Sequence, residues 1–138
     1  MGQNDTVVAE ILARFQNHEL DARYLAFFEC FNRGLYFEAH EVLEEIWLPR
    51  RKEANGLFYK GLIQLAGAFV HLQKNRLRPA AALFNLACAN LQRYRPIYER
   101  LELMSLIDMI EKWRRQLEES NFILNPLHSK DPIQIKLT

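Results

Sequence analysis

Glycine, proline and cysteine are all scarce in this chain of 138 residues, which has five glycines, five prolines and two cysteines. Cys30 and Cys88 lie within apolar stretches and lack C-x-x-C spacing. This pattern argues against a disulfide framework and is typical of buried thiols in a reducing compartment. We therefore expect a cytoplasmic protein.

Long apolar runs and a strong net charge are also missing. No apolar stretch approaches the ~20 residues that a membrane span requires. The first residues lack the basic and apolar regions of a signal peptide. The net charge is +1, so nothing global indicates binding to nucleic acid or to an anionic membrane. We expect neither as a partner, and the oligomeric state stays open, a homodimer included.

Apolar residues at helical spacing dominate what the chain does contain. It is 49% hydrophobic and 25% charged, and no convincing period-2 pattern precedes its tail. We predict an all-α fold, with 1–138 forming one domain as a compact bundle of five to six helices. The predicted helices are 6–17, 21–32, 36–48, 56–74, 79–94 and 101–119. Pro49 is predicted to end the third helix and Pro79 to begin the fifth, while the tail, 121–138, is predicted to lie extended over the helices.

The third predicted helix carries polar residues among apolar ones. At 100° per residue, Tyr36, Leu43 and Trp47 fall on one apolar stripe, and His40 and Glu44 fall in its middle. An imidazole and a carboxylate in place of core residues are expected to be paired, ligated or used in chemistry. The sequence therefore predicts a functional site on this helix.

The fourth predicted helix is apolar almost all round, which indicates a central helix. Gln64 and His71 nevertheless share one stripe, and Lys60 lies near it. A short connection between helices favours antiparallel neighbours. The polar pair of the third helix is therefore predicted to face Gln64 and His71 across one pocket.

Two imidazoles and a carboxylate form a ligand set suited to zinc or another divalent metal with one open coordination position. We hypothesise that His40, Glu44 and His71 bind zinc, manganese or iron, and that Gln64 or Glu41 orients a ligand or a bound water. Metal-bound water would then be a hydrolytic nucleophile, with Glu41 as the catalytic base. The pattern departs from the zincin motif H-E-x-x-H, because Glu44 stands where the second histidine would.

Two other interpretations use the same residues differently. An ion pair of Glu44 with His40 or His71 would fix the register of two helices without any ligand. The cluster would equally suit a small polar or anionic molecule without chemistry, particularly if Lys60 or Arg33 reached it. In both cases the protein is not an enzyme.

A weak internal repeat at an offset of 43 aligns 32–33 with 75–76 and Leu43 with Leu86. It predicts two helical hairpins of similar build, packed against each other. The stretch 34–39 also looks like part of a tetratricopeptide repeat, although the usual period is 34 residues. A noncatalytic peptide- or protein-binding helical module is therefore the alternative to a hydrolase.

Two motifs carry a resemblance to a known family. They are Phe31-Asn32-x-Gly34-x-Tyr36-Phe37-Glu38-x-His40-Glu41-x-Leu43-Glu44-x-x-Trp47 and Gly61-Leu62-Ile63-Gln64-x-Ala66-x-Ala68-x-x-His71. Over about 24–96 the chain resembles domain-of-unknown-function family 309, a family of small helical prokaryotic proteins. The resemblance implies an all-α bundle and a shared polar cluster at His40, Glu41, Glu44, Gln64 and His71. The label "predicted metal-dependent hydrolase" attached to some members derives from the H-E motif and names no substrate.

Overall fold

The computed structural model describes residues 4–129 and 131–138. Its six α-helices are α1 (Asp5–Arg14), α2 (Ala22–Asn32), α3 (Tyr36–Arg50), α4 (Gly56–Gln73), α5 (Leu77–Leu91) and α6 (Leu103–Glu119). A short antiparallel hairpin, β1 (Ile97–Tyr98) and β2 (Leu101–Glu102), precedes α6, and 3₁₀ turns form at Gln92–Tyr94 and Pro126–His128. The predicted all-α bundle is confirmed.

Helix α4 is the central element, packed between α3 and α5. On the outer sides of these three helices, α2 lies against α3 and α6 lies against α5, while α1 lies against α2. The ring of Phe69 is fully buried at the middle of the bundle, 4.7 Å from the ring centroid of Tyr36 on α3 and 4.9 Å from that of Trp113 on α6. One aromatic side chain of α4 thus joins helices from both sides of the bundle.

Capping residues predicted the limits of the helices more accurately than prolines did. Asp21 caps α2 as predicted, with its Oδ1 accepting a hydrogen bond from the backbone N–H of Arg23 at 2.8 Å. The predicted stop before Pro49 is wrong, because α3 continues to Arg50. Pro49 lies in the last turn, where its missing N–H leaves only the carbonyl of Glu45 without a helical donor, and Glu45 is solvent-exposed.

Pro79 is the third residue of α5 and not the first, since the helix begins at Leu77. The first three residues of a helix have no carbonyl partner for their N–H groups, so proline fits anywhere in the first turn. The preceding turn explains the earlier start. Asn75 takes a left-handed conformation with φ +56°, as Gly34 does with φ +78° before α3. Each of these residues ends the preceding helix, and the next helix begins two residues later.

These matching turns place the internal repeat at an offset of 41 and not 43. Tyr36 begins α3 and Leu77 begins α5. At this offset Leu43 corresponds to Phe84, and both are fully buried. The partner expected from the sequence, Leu86, is 50% exposed. The hairpins are therefore alike in their turns and buried faces, but the alignment by residue identity was displaced by two positions.

The segment before α6 forms a hairpin where the sequence predicted helix from residue 101. Leu101 pairs with Tyr98, and the carboxylate of Glu102 accepts hydrogen bonds from the N–H groups of Met104 and Ser105. A side chain that caps these groups fixes the start of the helix after itself, at Leu103.

The predicted extended tail, 121–138, is found only from residue 131 onward, because Pro126–His128 form a 3₁₀ turn. Ile133 and Ile135 are each 4% exposed, and the side-chain amide of Asn32 bonds both the N–H and the carbonyl of Ile135 at 2.8 Å. The end of α2 and the tail are thereby joined. Within the described part of the chain, no helix has the length and apolar character needed to cross a membrane.

Candidate functional site

One stripe of α4 is left open to solvent. Its partly exposed residues recur every three or four positions, at Lys60, Gln64, Gly67 and His71, which is the spacing of one helical face. Lys74, one residue past the end of α4, continues the stripe. This stripe forms the floor of a cleft of about 330 Å³.

The walls of the cleft come from the two neighbours of α4. Helix α3 contributes Phe37 and His40, and α5 contributes Leu83. The rings of Phe37 and His40 lie nearly parallel, with centroids 6.0 Å apart and an interplanar angle of 29°. Ile63 and Val70 add apolar surface to the floor. The cleft therefore has one flat aromatic wall, one aliphatic wall and a mixed floor.

His40 occupies the edge of the buried face of α3. Its Nε2 lies 3.3 Å from Oε2 of Glu44, and the two side chains are 30% and 45% exposed. The predicted pair therefore forms, but at a surface where water solvates both groups. An exposed pair of this kind contributes little to stability, so fixing the helix register does not by itself account for it.

His71 lies at the other end of the cleft floor. Burial lowers the pKa of its imidazole below the ordinary value of 6.5, and the positive charges of Arg76 and Lys74 lower that pKa further. The neutral form of the imidazole is therefore favoured. The Nδ1 atoms of His71 and His40 are both buried, and neither has a hydrogen-bond partner within the described part of the chain, which leaves each histidine with an unused polar atom.

Gln64 is oriented by a residue that the sequence analysis missed. The side-chain amide of Asn90 on α5 donates a hydrogen bond to Oε1 of Gln64 at 2.8 Å. This bond uses the carbonyl oxygen of Gln64 as an acceptor and leaves its NH₂ group available as a donor. A signal was available, because Asn90 follows Leu83 by seven residues and so lies on the same stripe of α5.

Two lysines mark the ends of the cleft. Lys60 and Lys74 are separated along the axis of α4 by about 21 Å at 1.5 Å per residue. The ammonium group of Lys60 lies 4.5 Å from the centroid of the Trp47 ring, a cation–π contact that holds the charge between α3 and α4. Arg33, the other cation considered from the sequence, instead bonds Glu29 at 2.8 Å.

Three of the five predicted site residues line this cleft together, namely His40, Gln64 and His71. Glu44 touches His40 but is not among the lining residues. Glu41 borders a different groove, beneath α1. Its position follows from helix geometry, because consecutive residues point about 100° apart.

The metal hypothesis requires a carboxylate and both histidines in one place. Among the residues that the structure describes, no three His, Cys, Asp or Glu side chains form a group that could hold a metal ion. As placed, His40 and His71 line the cleft, while the carboxylate of Glu44 contacts His40 but is not among the lining residues. The three metal ligands and the role of Glu41 as a base stay predictions.

Comparisons with known proteins agree with the motifs of the sequence. No curated protein and no solved structure is a significant match to the chain. The stretch 24–83, which runs from α2 into α5 and includes most of the cleft, matches a protein family. That family is described as a domain of unknown function, so the match carries no reaction and no ligand. Residues 24–83 of the chain thus match the family that the two motifs predicted, Domain of unknown function (DUF309).

Proposed function

We propose that this protein binds a small anionic molecule, without transforming it, in the cleft between α3, α4 and α5. One observation carries the proposal: the cleft presents hydrogen-bond donors and positive charge, and none of the described residues that line it is an aspartate or glutamate. The surface thus suits a carboxylate or phosphate and disfavours a cation.

The orientation of Gln64 supports this polarity. An amide side chain can accept as well as donate, but the bond from Asn90 uses the oxygen of Gln64 and leaves the NH₂ group as a donor. Lys60 and Lys74 add cationic donors at either end. A bound anion would also favour the charged form of His71, which adds a third cation at low pH.

The size of the cleft limits the ligand. At about 330 Å³ it lies near the lower end of the ~300–1,000 Å³ typical of ligand pockets. A metabolite-sized anion fits this volume, whereas a polynucleotide does not. The partly exposed floor leaves the ligand free to enter without opening of the helices.

A titration followed by ¹H–¹⁵N NMR tests the proposal. Acetate and inorganic phosphate are added separately to the full chain, with acetamide as the neutral analogue of acetate. We expect saturable shifts of the side-chain amide of Gln64 and of backbone amides around Gly67 and His71, and none with acetamide. The Lys60→Met and Lys74→Met variants should each bind the preferred anion about 2- to 10-fold more weakly, because each loses one charge contact.

A matched variant separates the cleft from general positive charge. Lys52 lies on the loop after α3, is exposed and does not line the cleft, so Lys52→Met should leave affinity unchanged. Equal losses in all three lysine variants would mean that anions bind the surface nonspecifically. Absence of saturable shifts with either anion would refute the proposal.

A metal-dependent hydrolase is the second candidate, favoured by the unpartnered Nδ1 atoms of His40 and His71. It requires a carboxylate, such as that of Glu44, to join the two histidines. Elemental mass spectrometry of gently purified, untagged protein tests it, with His40→Ala/Glu44→Ala as the comparison. Stoichiometric zinc, manganese or iron, lost in a variant that still folds, would favour this candidate over simple anion binding.

A further inference from the structure

Phe37 is placed where a surface residue would normally be polar. It lies in the first turn of α3 and is 51% exposed, although burying an aromatic ring is strongly favourable. Its ring lies beside the imidazole of His40, with centroids 6.0 Å apart. The exposed ring therefore presents an apolar, planar surface at the rim of the cleft.

The wall across the floor is aliphatic and comes close to α4. A methyl group built on Gly67 would lie 3.3 Å from Cδ1 of Leu83, so the side chain of Leu83 approaches the backbone of α4 at this glycine. With Phe37 on the other side, the cleft has apolar sides, and the donors lie along the floor at Gln64 and His71. A thin molecule with one charged end complements this arrangement.

From these features, and resting on the proposed function, we infer that the ligand is a planar aromatic carboxylate. The ring of this ligand stacks on Phe37 and faces Leu83. Its carboxylate accepts hydrogen bonds from Gln64 and from either Lys60 or Lys74, the lysines at the two ends of the floor. Phe37 is thus the specificity-determining residue. Offset stacking on a fixed ring favours aromatic over aliphatic ligands of equal charge.

A comparison of four ligands on the full chain tests this inference by calorimetry or NMR titration. Benzoate is the probe, acetate lacks the ring, cyclohexanecarboxylate lacks planarity, and benzamide lacks the charge. We expect benzoate to bind about 10-fold more tightly than acetate and several-fold more tightly than the other two. Phe37→Leu should weaken benzoate binding about 3- to 10-fold and leave acetate binding unchanged.

Phe122→Leu is the matched control. Phe122 is also a partly exposed aromatic residue, but it lies beneath Arg78 and away from the cleft, so the same substitution there should not change benzoate affinity. The melting temperature of each variant shows whether its fold is intact.

Each result has a distinct meaning. Equal affinity for benzoate and acetate would overturn the aromatic ligand and leave the anion-binding function standing, and so would equal affinity for benzoate and cyclohexanecarboxylate. Benzamide binding as tightly as benzoate, or no binding of any carboxylate, would overturn both. Loss of benzoate affinity on Phe37→Leu but not on Phe122→Leu would support the inference.

Discussion

The two faces of α4 have opposite surroundings, since one packs into the core and the other lines the cleft. One face is fully buried and consists of Phe58, Leu62, Leu65, Phe69 and Leu72. The other is the open stripe of Lys60, Gln64, Gly67 and His71, which forms the cleft floor. Both faces share one backbone, so any difference in their behaviour comes from side chains and their surroundings.

This contrast separates the part of α4 that stabilises the fold from the part that carries polar groups. A buried polar atom without a partner costs about 1–3 kcal/mol, and among the described residues the Nδ1 atoms of His40 and His71 are of this kind, whereas Lys60 and Gln64 are partly exposed to water. The packed face stabilises the helix through burial of apolar surface. Side chains on the open face can therefore change without loss of core packing. Matched substitutions on the two faces should have different effects on the free energy of unfolding.

The largest expected difference is between two phenylalanines. Phe69→Ala should lower the free energy of unfolding by about 3–5 kcal/mol, since it leaves a cavity in the core. Phe37→Ala, in the wall above the open stripe, should change it by about 0.5 kcal/mol or less, because half of that ring is already in water. Urea unfolding of both variants measures the difference.

Comparable losses of unfolding free energy in the two variants would contradict the conclusion that Phe37 lies outside the packed core. They would mean that the Phe37 ring packs as tightly as the Phe69 ring. In that case Phe37 could not present a free face to a ligand, and the inference that the ligand is an aromatic carboxylate would be wrong.

A smaller difference is expected between two glycines on α4. A methyl group on Gly61 would lie 2.9 Å from Cγ of Leu91, which is fully buried. Gly61→Ala should therefore destabilise the protein by about 1 kcal/mol or more, despite the better helix propensity of alanine. Gly67→Ala should stabilise it by about 0.5–1 kcal/mol, because Leu83 borders an open cleft and can move aside.

The same pair of variants sharpens the functional contrast. Gly67→Ala narrows the cleft while improving the helix, so it should weaken benzoate binding although thermal stability rises. In Gly61→Ala the new methyl group would lie 3.3 Å from Cβ of Asn90, the residue whose side-chain amide bonds Gln64. If Gly67→Ala binds benzoate as tightly as the parent chain, the ligand does not reach the floor at this point.

The helices could be predicted from the sequence because their determinants are local. Apolar periodicity located α4 to within one residue at its end, and Asp21 located the start of α2. The hairpin before α6 was missed because its strands have only two residues each. Such a short element leaves no period-2 pattern, and Tyr98 in it is positioned by contacts with Phe58, 4.8 Å between ring centroids.

The candidate site was predictable in part. Spacing on α3 and α4 placed His40, Gln64 and His71 on facing stripes, and the structure brings them to one cleft. Spacing did not show that His40 and Glu44 lie at the edge of the buried face, because helical phase gives direction but not the distance to a neighbouring helix. Asn90 shares a stripe of α5 with Leu83, but spacing within α5 does not show that this stripe faces Gln64.

The smallest expected effect concerns the pH dependence of stability, which comes from His71 on the open stripe. Its pKa lies below 6.5 in the folded chain, and is ordinary when the chain is unfolded. Well above pH 6.5 the residue is neutral in both states and contributes nothing to the pH dependence. As the pH falls through about 6.5, the unfolded chain binds a proton that the folded chain does not, so the free energy of unfolding decreases.

His71→Gln removes this proton linkage while keeping a polar side chain. Between about pH 7.5 and about pH 5.5 the variant should lose less stability than the parent chain, as measured by urea unfolding at both values. Parallel losses would show that His71 is not desolvated as the structure places it. Saturating benzoate should reduce the loss in the parent chain but not in the variant, because a bound carboxylate favours the imidazolium and raises the pKa of His71. That reversal would connect the titrating group of the open stripe directly to the anion in the cleft.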